Sequence, residues 1–396
     1  MHSKGLAVRS VLSSNGRIEQ RRRYHDPEGG GVVPVDRLID VAESSVSLGV
    51  RELCCRIATD SGSFTRAAAN LERAAQLRLS DEKLRQVVEA EGRAVLAWQD
   101  HEQLEFDWDG ADCLTEKTPD GVPVSRLYVG CDGFMAPAVT DTEMGKRREK
   151  AKARRRHLPR RRGVRRRPLV RRRGADQRYK ELKLVTMYDQ DQCHRHVRVT
   201  RRNHQHAGKL MRQMSGDLHA VRASQLAAVT DGAEWIARAI EQNLPKRTTA
   251  ILDFFHLSQH VHETRRVVFG ETQAAGHAWS DEVLGSLVNE GFEPFWEKLI
   301  ATRSRLRSRV KRSAVDNLTR YAGERRCKMD YKAYKTLGLS IGSGPTESMC
   351  KALSRRLKGM GMRWQPANAE AMATLEALHQ SGGWRRYWTT LCKITC

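Results

Sequence analysis

Candidate chemistry in this sequence begins with acids that interrupt apolar runs. The clearest case is Gln225–Ala233, where Leu226–Val229 forms an apolar run that Thr230-Asp231-Gly232 breaks. Glu234–Ile240 follows directly, with apolar side chains at helical spacing. A buried strand that ends in an acid and turns into a helix presents a carboxylate at a sheet edge. Residue preference alone makes Asp231 a helix cap, but two further acids occupy matching positions. Asp132 closes the strand-like run Leu127–Asp132 before Gly133. Glu347 follows the glycine loop Ile341–Gly344, with Pro345 suited to a first helical position and Glu347 to the opening turn.

Residues around these acids extend the pattern. Past Glu347, the cations Lys351, Arg355 and Lys358 follow at steps of four, four and three, which places them on one helix face. An acid continuous with a cationic ridge suits a metal-bound phosphodiester, the acid holding the ion and the cations the flanking phosphates. A solvated, salt-bridged face has the same spacing. Asp253 and His256 sit at another strand-to-helix junction, either supporting the acids or serving as a helix cap and a core histidine. Cys193, His194 and His196, with His204 and His206, offer zinc ligands at alternate positions, without a second cysteine at finger spacing. Trp364, after Met362-Arg363, is placed to stack on a flipped base or to fill a core.

These groups need a scaffold that brings distant stretches together. Strand signals occur at 127–137, 183–188, 196–200, 225–230 and 248–253, with Asp189–Gln192 as the turn between the second and third. Three strands in hairpin order, then alternating strands and helices, indicate an α/β domain with a mixed sheet. Residues 254–337 read as a helical insertion through Ser258–Val268, Asp281–Asn289 and Phe295–Val310. Upstream, residues 32–125 read as helical, beginning with Val35–Ala42 and Val50–Ala58. Ser63–Leu71 and the Ser80-capped Asp81–Val88 resemble a helix-turn-helix, a pattern that any small helical bundle shares. Residues 1–31, polar, basic and ending in Gly29–Gly31, are expected to be disordered.

The chain has 396 residues, enough for two or three domains with real cores, and a formal charge of +23. Between Lys146 and Arg173 fall 14 Arg and 3 Lys against one Glu, so most of the charge sits in one tract. Its triplets Arg154, Arg155, Arg156, then Arg160, Arg161, Arg162, then Arg165, Arg166, Arg167 are interrupted by Pro159 and Pro168, which excludes one continuous helix. Such a tract suits a flexible clamp on a polyanion, nucleic acid before membrane. No apolar run reaches the roughly 18 residues that span a bilayer, and Met1–Gly5 lacks a signal-peptide pattern. Nine irregularly spaced cysteines suit reduced thiols and a cytoplasmic protein.

Four pieces taken together carry a family resemblance. They are Tyr128–Gly133, Thr230–Ile236, Leu252–His256, and Gly342–Glu347 through Gly361–Trp364. In order and interval they resemble the DDE motif of bacterial insertion-sequence transposases with an RNase H-like catalytic domain, specifically the Kra-type insertion-sequence family. The likeness runs from about Leu127 to Trp388, and Asp253 to His256 fits the Asp-x-x-His signature that such transposases place after their second aspartate. The Arg-rich insert at 146–173 is longer and more basic than the resemblance leads one to expect.

The resemblance implies an RNase H-like mixed sheet beginning at 126–253, a helical insertion at 254–337, and a C-terminal catalytic helix and tail at 338–396. An all-α, helix-turn-helix-like DNA-binding domain at 32–125 precedes them. It implies Asp132, Asp231 and Glu347 as catalytic ligands of two Mg²⁺ (or Mn²⁺) ions, with Asp132 bridging and Asp253 and His256 in support. The implied reaction is DNA cleavage at transposon ends followed by strand transfer. Implied partners are double-stranded DNA (terminal inverted repeats and target) and further copies of the chain in a dimer or higher oligomer, at the nucleoid. Lys351, Arg355, Lys358, Arg363, Trp364 and the arginine triplets are the implied DNA contacts. Two other readings share these features: a non-catalytic DNA-binding protein derived from a transposase, and an RNase H-like nuclease without strand transfer.

Overall fold

The computed structural model describes residues 2–26, 45–101, 106–157 and 174–395. The chain divides into two compact units, one of residues 1–103, 134–182 and 351–396, the other of 104–133 and 183–350. Val35–Ala42 and the arginines Arg160, Arg161, Arg162, Arg165, Arg166 and Arg167 lie outside the described residues.

The first unit opens with a hairpin of β1 (His2–Ser13) and β2 (Gly16–Asp26), paired antiparallel from His2↔Asp26 to Ser13↔Gly16. The expectation of disorder at 1–31 is thereby corrected over residues 2–26. Asn15-Gly16 is a strong hairpin signal, and Gly16 supplies the φ of +97° that the turn needs. Helices Leu48–Asp60, Phe64–Ala75 and Asp81–His101 follow. Ser63 Oγ accepts the Arg66 N–H at the head of the second, and Ser80 Oγ accepts the Lys83 N–H at the head of the third.

Helix Pro366–Gln380 is buried on every side from Asn368 to Leu378 and packs along Asp81–His101. Gly92 permits the approach, since a Cβ there would meet the Ala371 carbonyl oxygen at 2.4 Å. Residues 351–396 therefore fall in one compact unit with the N-terminal helices, whereas the sequence reading groups them with residues 338–350. The helix-turn-helix expectation changes as well. Asp81–His101 is a central bundle helix whose buried Glu91 accepts from the Tyr387 hydroxyl at 2.7 Å and pairs with Arg51 at 3.6 Å. Its first turn carries Asp81 and Glu82, charges that repel phosphates where a recognition helix must approach DNA. Helix Asp141–His157 is the opposite case: it buries no residue and ends in Arg154, Arg155 and Arg156.

The second unit holds most of the main sheet. Short β3 (Leu114–Thr115) pairs with β4 (Val124–Pro137); β5 (Tyr179–Asp189), β6 (Arg195–Thr200), β7 (Gln225–Thr230) and β8 (Thr249–Leu252) complete the order β6-β5-β4-β7-β8. β5 and β6 are antiparallel, whereas β7 runs parallel to both β4 and β8. The fold is thus mixed α/β on a mixed sheet, as the change of period along the sequence indicates.

Alternation along β4 gives its two faces different work. Leu127, Val129 and Cys131 enter a core with Leu210 and Met214 of helix His204–Asp217 and Ile236 and Ile240 of helix Glu234–Asn243. Arg126, Tyr128, Gly130 and Asp132 occupy the other register. Residues 254–337 are helical: Phe254–Phe269, Ala274–Asn289, Phe292–Arg305, Arg309–Glu324 and Tyr331–Thr336. The expected single helix Phe295–Val310 is divided, because Leu306 turns extended (φ −80°, ψ 137°) and Ser308 starts the next helix. Helix Gly344–Arg355 follows. Among the described residues no helix is long and apolar enough to cross a membrane.

Candidate functional site

Parallel pairing sets the positions of the aspartates. Arg126 pairs with Gln225 and Val129 with Ala228 across β4 and β7, and the same spacing separates Asp132 from Asp231. Thr230 pairs with Leu252 across β7 and β8, so the next step sets Asp231 level with Asp253. The Asp253 N–H, bonded to the Thr230 carbonyl at 2.7 Å, carries that step. Carried past their last pairs, the ladders place Asp132 of β4 level with Asp231 and Asp253, the residues that directly follow β7 and β8. Ligands of open α/β sheets bind at this carboxyl edge.

Each aspartate also organises its own turn. Asp132 Oδ1 accepts the Gly133 N–H at 2.6 Å and Asp231 Oδ1 accepts the Ala233 N–H at 2.9 Å. Both residues remain half-buried. Asp253 is 2 % exposed; its Oδ1 caps helix Phe254–Phe269 through the Phe255 N–H at 2.8 Å, and its Oδ2 accepts from the Ser343 hydroxyl. Asp253 is therefore a structural clamp on the glycine loop before Glu347.

That loop and the helix after it lie against the Arg126–Asp132 face of β4. Fully buried Arg126 donates to the Leu337 carbonyl at 2.8 Å and the Gly338 carbonyl at 2.7 Å. The Tyr128 hydroxyl accepts the Ser340 N–H at 2.9 Å. A Cβ on Gly130 would stand 1.9 Å from Thr346 Oγ1, so only glycine leaves room there. Glu347, next to Thr346, is exposed in the first turn of helix Gly344–Arg355.

Helix Arg309–Glu324 and Arg325, which caps its end, contribute groups that sequence reading missed. The Tyr321 hydroxyl donates to the Asp231 carbonyl at 3.2 Å, and Arg325 Nε donates to the Gly232 carbonyl at 3.2 Å. The Arg325 guanidinium also lies 4.1 Å above the Tyr321 ring. Burial pushes the Tyr321 hydroxyl up to about 12, with Arg325 opposing and Asp231 and Asp253 reinforcing the shift. His256 is half-buried with its ring 5.1 Å from that of His260, which in turn lies 4.2 Å from Tyr321. It packs one contact away from the Asp231 loop. The four-residue spacing of Tyr321 and Arg325, and an arginine inside the apolar run of β4, are the sequence signals that mark these supports.

An all-carboxylate donor set suits a hard divalent ion. Among the described residues, however, no group of three or more His, Cys, Asp or Glu stands in a geometry that could hold a metal. The fold brings the stretches bearing Asp132, Asp231 and Glu347 to one region without gathering the three carboxylates into a cage. In the histidine-rich stretch the imidazoles meet separate partners. His194 pairs with Asp189, His196 is buried against Phe106, and His204 stacks on Trp235 at 4.3 Å.

The implied DNA contacts divide. Lys351 and Arg355 are exposed on their helix, but Lys358 lies past its end, where the Leu357 and Lys358 N–H groups close on the Ser354 carbonyl. Arg363 is exposed and bonded to Glu143. Trp364 is corrected to a core residue. It is 6 % exposed, its indole N–H is held by the Leu357 carbonyl at 3.0 Å, and Phe64 meets its ring edge-on at 5.9 Å. No protein-family model matches the sequence, and no curated protein matches it.

Proposed function

We propose that the chain is a metal-dependent phosphoryl-transfer enzyme acting on DNA, a DDE transposase of an insertion sequence on an RNase H-like domain. The observation that carries this reading is the parallel register of β4 and β7, which when carried three residues past Val129 and Ala228 sets Asp132 level with Asp231, together with the close approach of Thr346, the neighbour of Glu347, to Gly130 of β4. The strand order β6-β5-β4-β7-β8, three consecutive strands side by side extended by two parallel ones, supports the RNase H-like assignment. Asp132, Asp231 and Glu347 would hold the ions, which supply Lewis acidity at the scissile phosphate. Among the described residues the three carboxylates are not gathered, so holding an ion would require the exposed Glu347 side chain to move toward the aspartates.

The protein's own groups position and attract. Asp253 and Ser343 fix the loop before Glu347, while Tyr321 and Arg325 fix the backbone of the Asp231 turn. Lys351, Arg355 and the basic end of helix Asp141–His157 supply cations for phosphates. The ungathered carboxylates favour a second reading, a DNA-binding protein without catalysis. Incubation of supercoiled DNA carrying the sequences that flank the gene, with Mg²⁺ or Mn²⁺, separates the two. Cleavage by the parent and its loss in Asp231→Ala, with DNA binding retained, supports the enzyme. Binding without cleavage by the parent supports the second reading. Joining of the cut ends to another duplex distinguishes a transposase from a nuclease.

A further inference from the structure

Arg126 is an unusual tenant of a central strand: it is fully buried, and its donors reach across several separate stretches of chain. Nε donates to Gln225 Oε1 at 2.7 Å, Nη1 to the Lys117 carbonyl at 3.2 Å, to the Gly338 carbonyl and to Gln190, and Nη2 to the Leu337 carbonyl. Carbonyl and amide oxygens, rather than a carboxylate, take these guanidinium donors. Gln190 Nε2 also donates to the Gly338 carbonyl at 3.3 Å, and the Tyr128 hydroxyl donates to Gln190 Oε1 at 3.0 Å while accepting the Ser340 N–H. Gly338 takes a φ of +71°, and a Cβ there would stand 2.8 Å from the Lys117 carbonyl. Charge-assisted bonds in a fixed fork are geometrically demanding, so a slide of Leu337–Ser340 along β4 would break several at once.

Successive residues of one β4 face thus meet successive points of the following segment: Arg126 at Leu337 and Gly338, Tyr128 at Ser340, Gly130 at Thr346. The next residue on that face is Asp132, and the next residue of the segment is Glu347. We infer that Arg126 is a positioning residue, the anchor of a register latch that fixes how far along β4 Glu347 stands relative to Asp132. This role rests on the proposed use of Glu347. The latch itself is a separate physical statement about the segment 337–347.

The test uses the full chain with Arg126→Met, Tyr128→Phe and, as a control, Arg198→Met, a buried arginine that bonds Gln213 instead. Amide hydrogen exchange reads the latch without any activity. Exchange across 337–347 should rise at least tenfold in Arg126→Met and about threefold in Tyr128→Phe, and stay at parent level in Arg198→Met. In the cleavage assay, Arg126→Met should need about tenfold more Mn²⁺ for half-maximal rate, with DNA affinity within twofold of the parent. Unchanged exchange in both β4 variants overturns the latch; should Arg126→Met fail to fold, Tyr128→Phe decides. Raised exchange with an unchanged Mn²⁺ requirement overturns the positioning role. If the parent cleaves nothing, the proposed function and the positioning role fall together, and exchange still decides the latch.

Discussion

At the scale of single residues, the aspartates do unequal work. Asp253, buried and doubly engaged, shapes the loop before Glu347, so Ser343→Ala should leave the fold intact and slow the proposed cleavage by roughly 10- to 100-fold, the cost of losing support behind the proposed metal ligands. Rate measurement at saturating Mn²⁺ checks this, and a rate equal to the parent's contradicts it. His196 makes a different prediction. Burial, reinforced by Arg198, lowers it to about 3 from an ordinary 6.5, so it is neutral in the folded chain. Below pH 6.5 the unfolded chain binds a proton there that the folded chain refuses. Stability is therefore full above that pH and falls as pH drops toward about 3, at up to roughly 1.4 kcal/mol per pH unit from this group. Urea unfolding of His196→Phe, whose ring can pack on Phe106, should show a flatter slope between pH 6.5 and 4 than the parent.

At the scale of elements, close approaches decide what can be changed. Gly92→Ala forces a Cβ against the Ala371 backbone and should cost about 1–3 kcal/mol, read as a lower denaturant midpoint. Strands β7 and β8 were legible almost to the residue because apolar runs ended by Asp231 and Asp253 leave little choice of boundary. The helices of 254–337 were legible from their period. Three features were not. The hairpin His2–Asp26 was hidden by polar composition, although Asn15-Gly16 announced its turn. Helix Pro366–Gln380 is buried all round, so it has no amphipathic stripe to say where it packs. The ridge from Glu347 to Lys358 was carried three positions past the helix end at Arg355, because spacing does not reveal where a helix ends.

At the scale of the whole molecule, the charge is the dominant fact: +23 overall, with a helix that buries nothing and ends in three arginines. Replacing Arg154, Arg155 and Arg156 by Gln should weaken DNA binding alike for all sequences. It should also flatten the log–log salt dependence by about 0.9 for each phosphate that is no longer neutralised. An unchanged slope would place those arginines off the DNA. The acid trio was legible as three acidic residues at three junctions, and the register of the strands that carry the two aspartates is what the structure adds. Its supports, Arg126, Tyr128 and Tyr321, come from stretches far apart in sequence and emerge only when the strands are laid side by side.

The common register of β4, β7 and β8 also governs which length changes the gene can survive. Adding or deleting one codon within Gln225–Thr230 would rotate Asp231 to the opposite side of the sheet, because side chains alternate with every residue. The same change in the stretch joining β4 to β5 leaves every ladder in step. Among natural variants of this gene, insertions and deletions should therefore crowd into that connection and be missing from the six codons before Asp231.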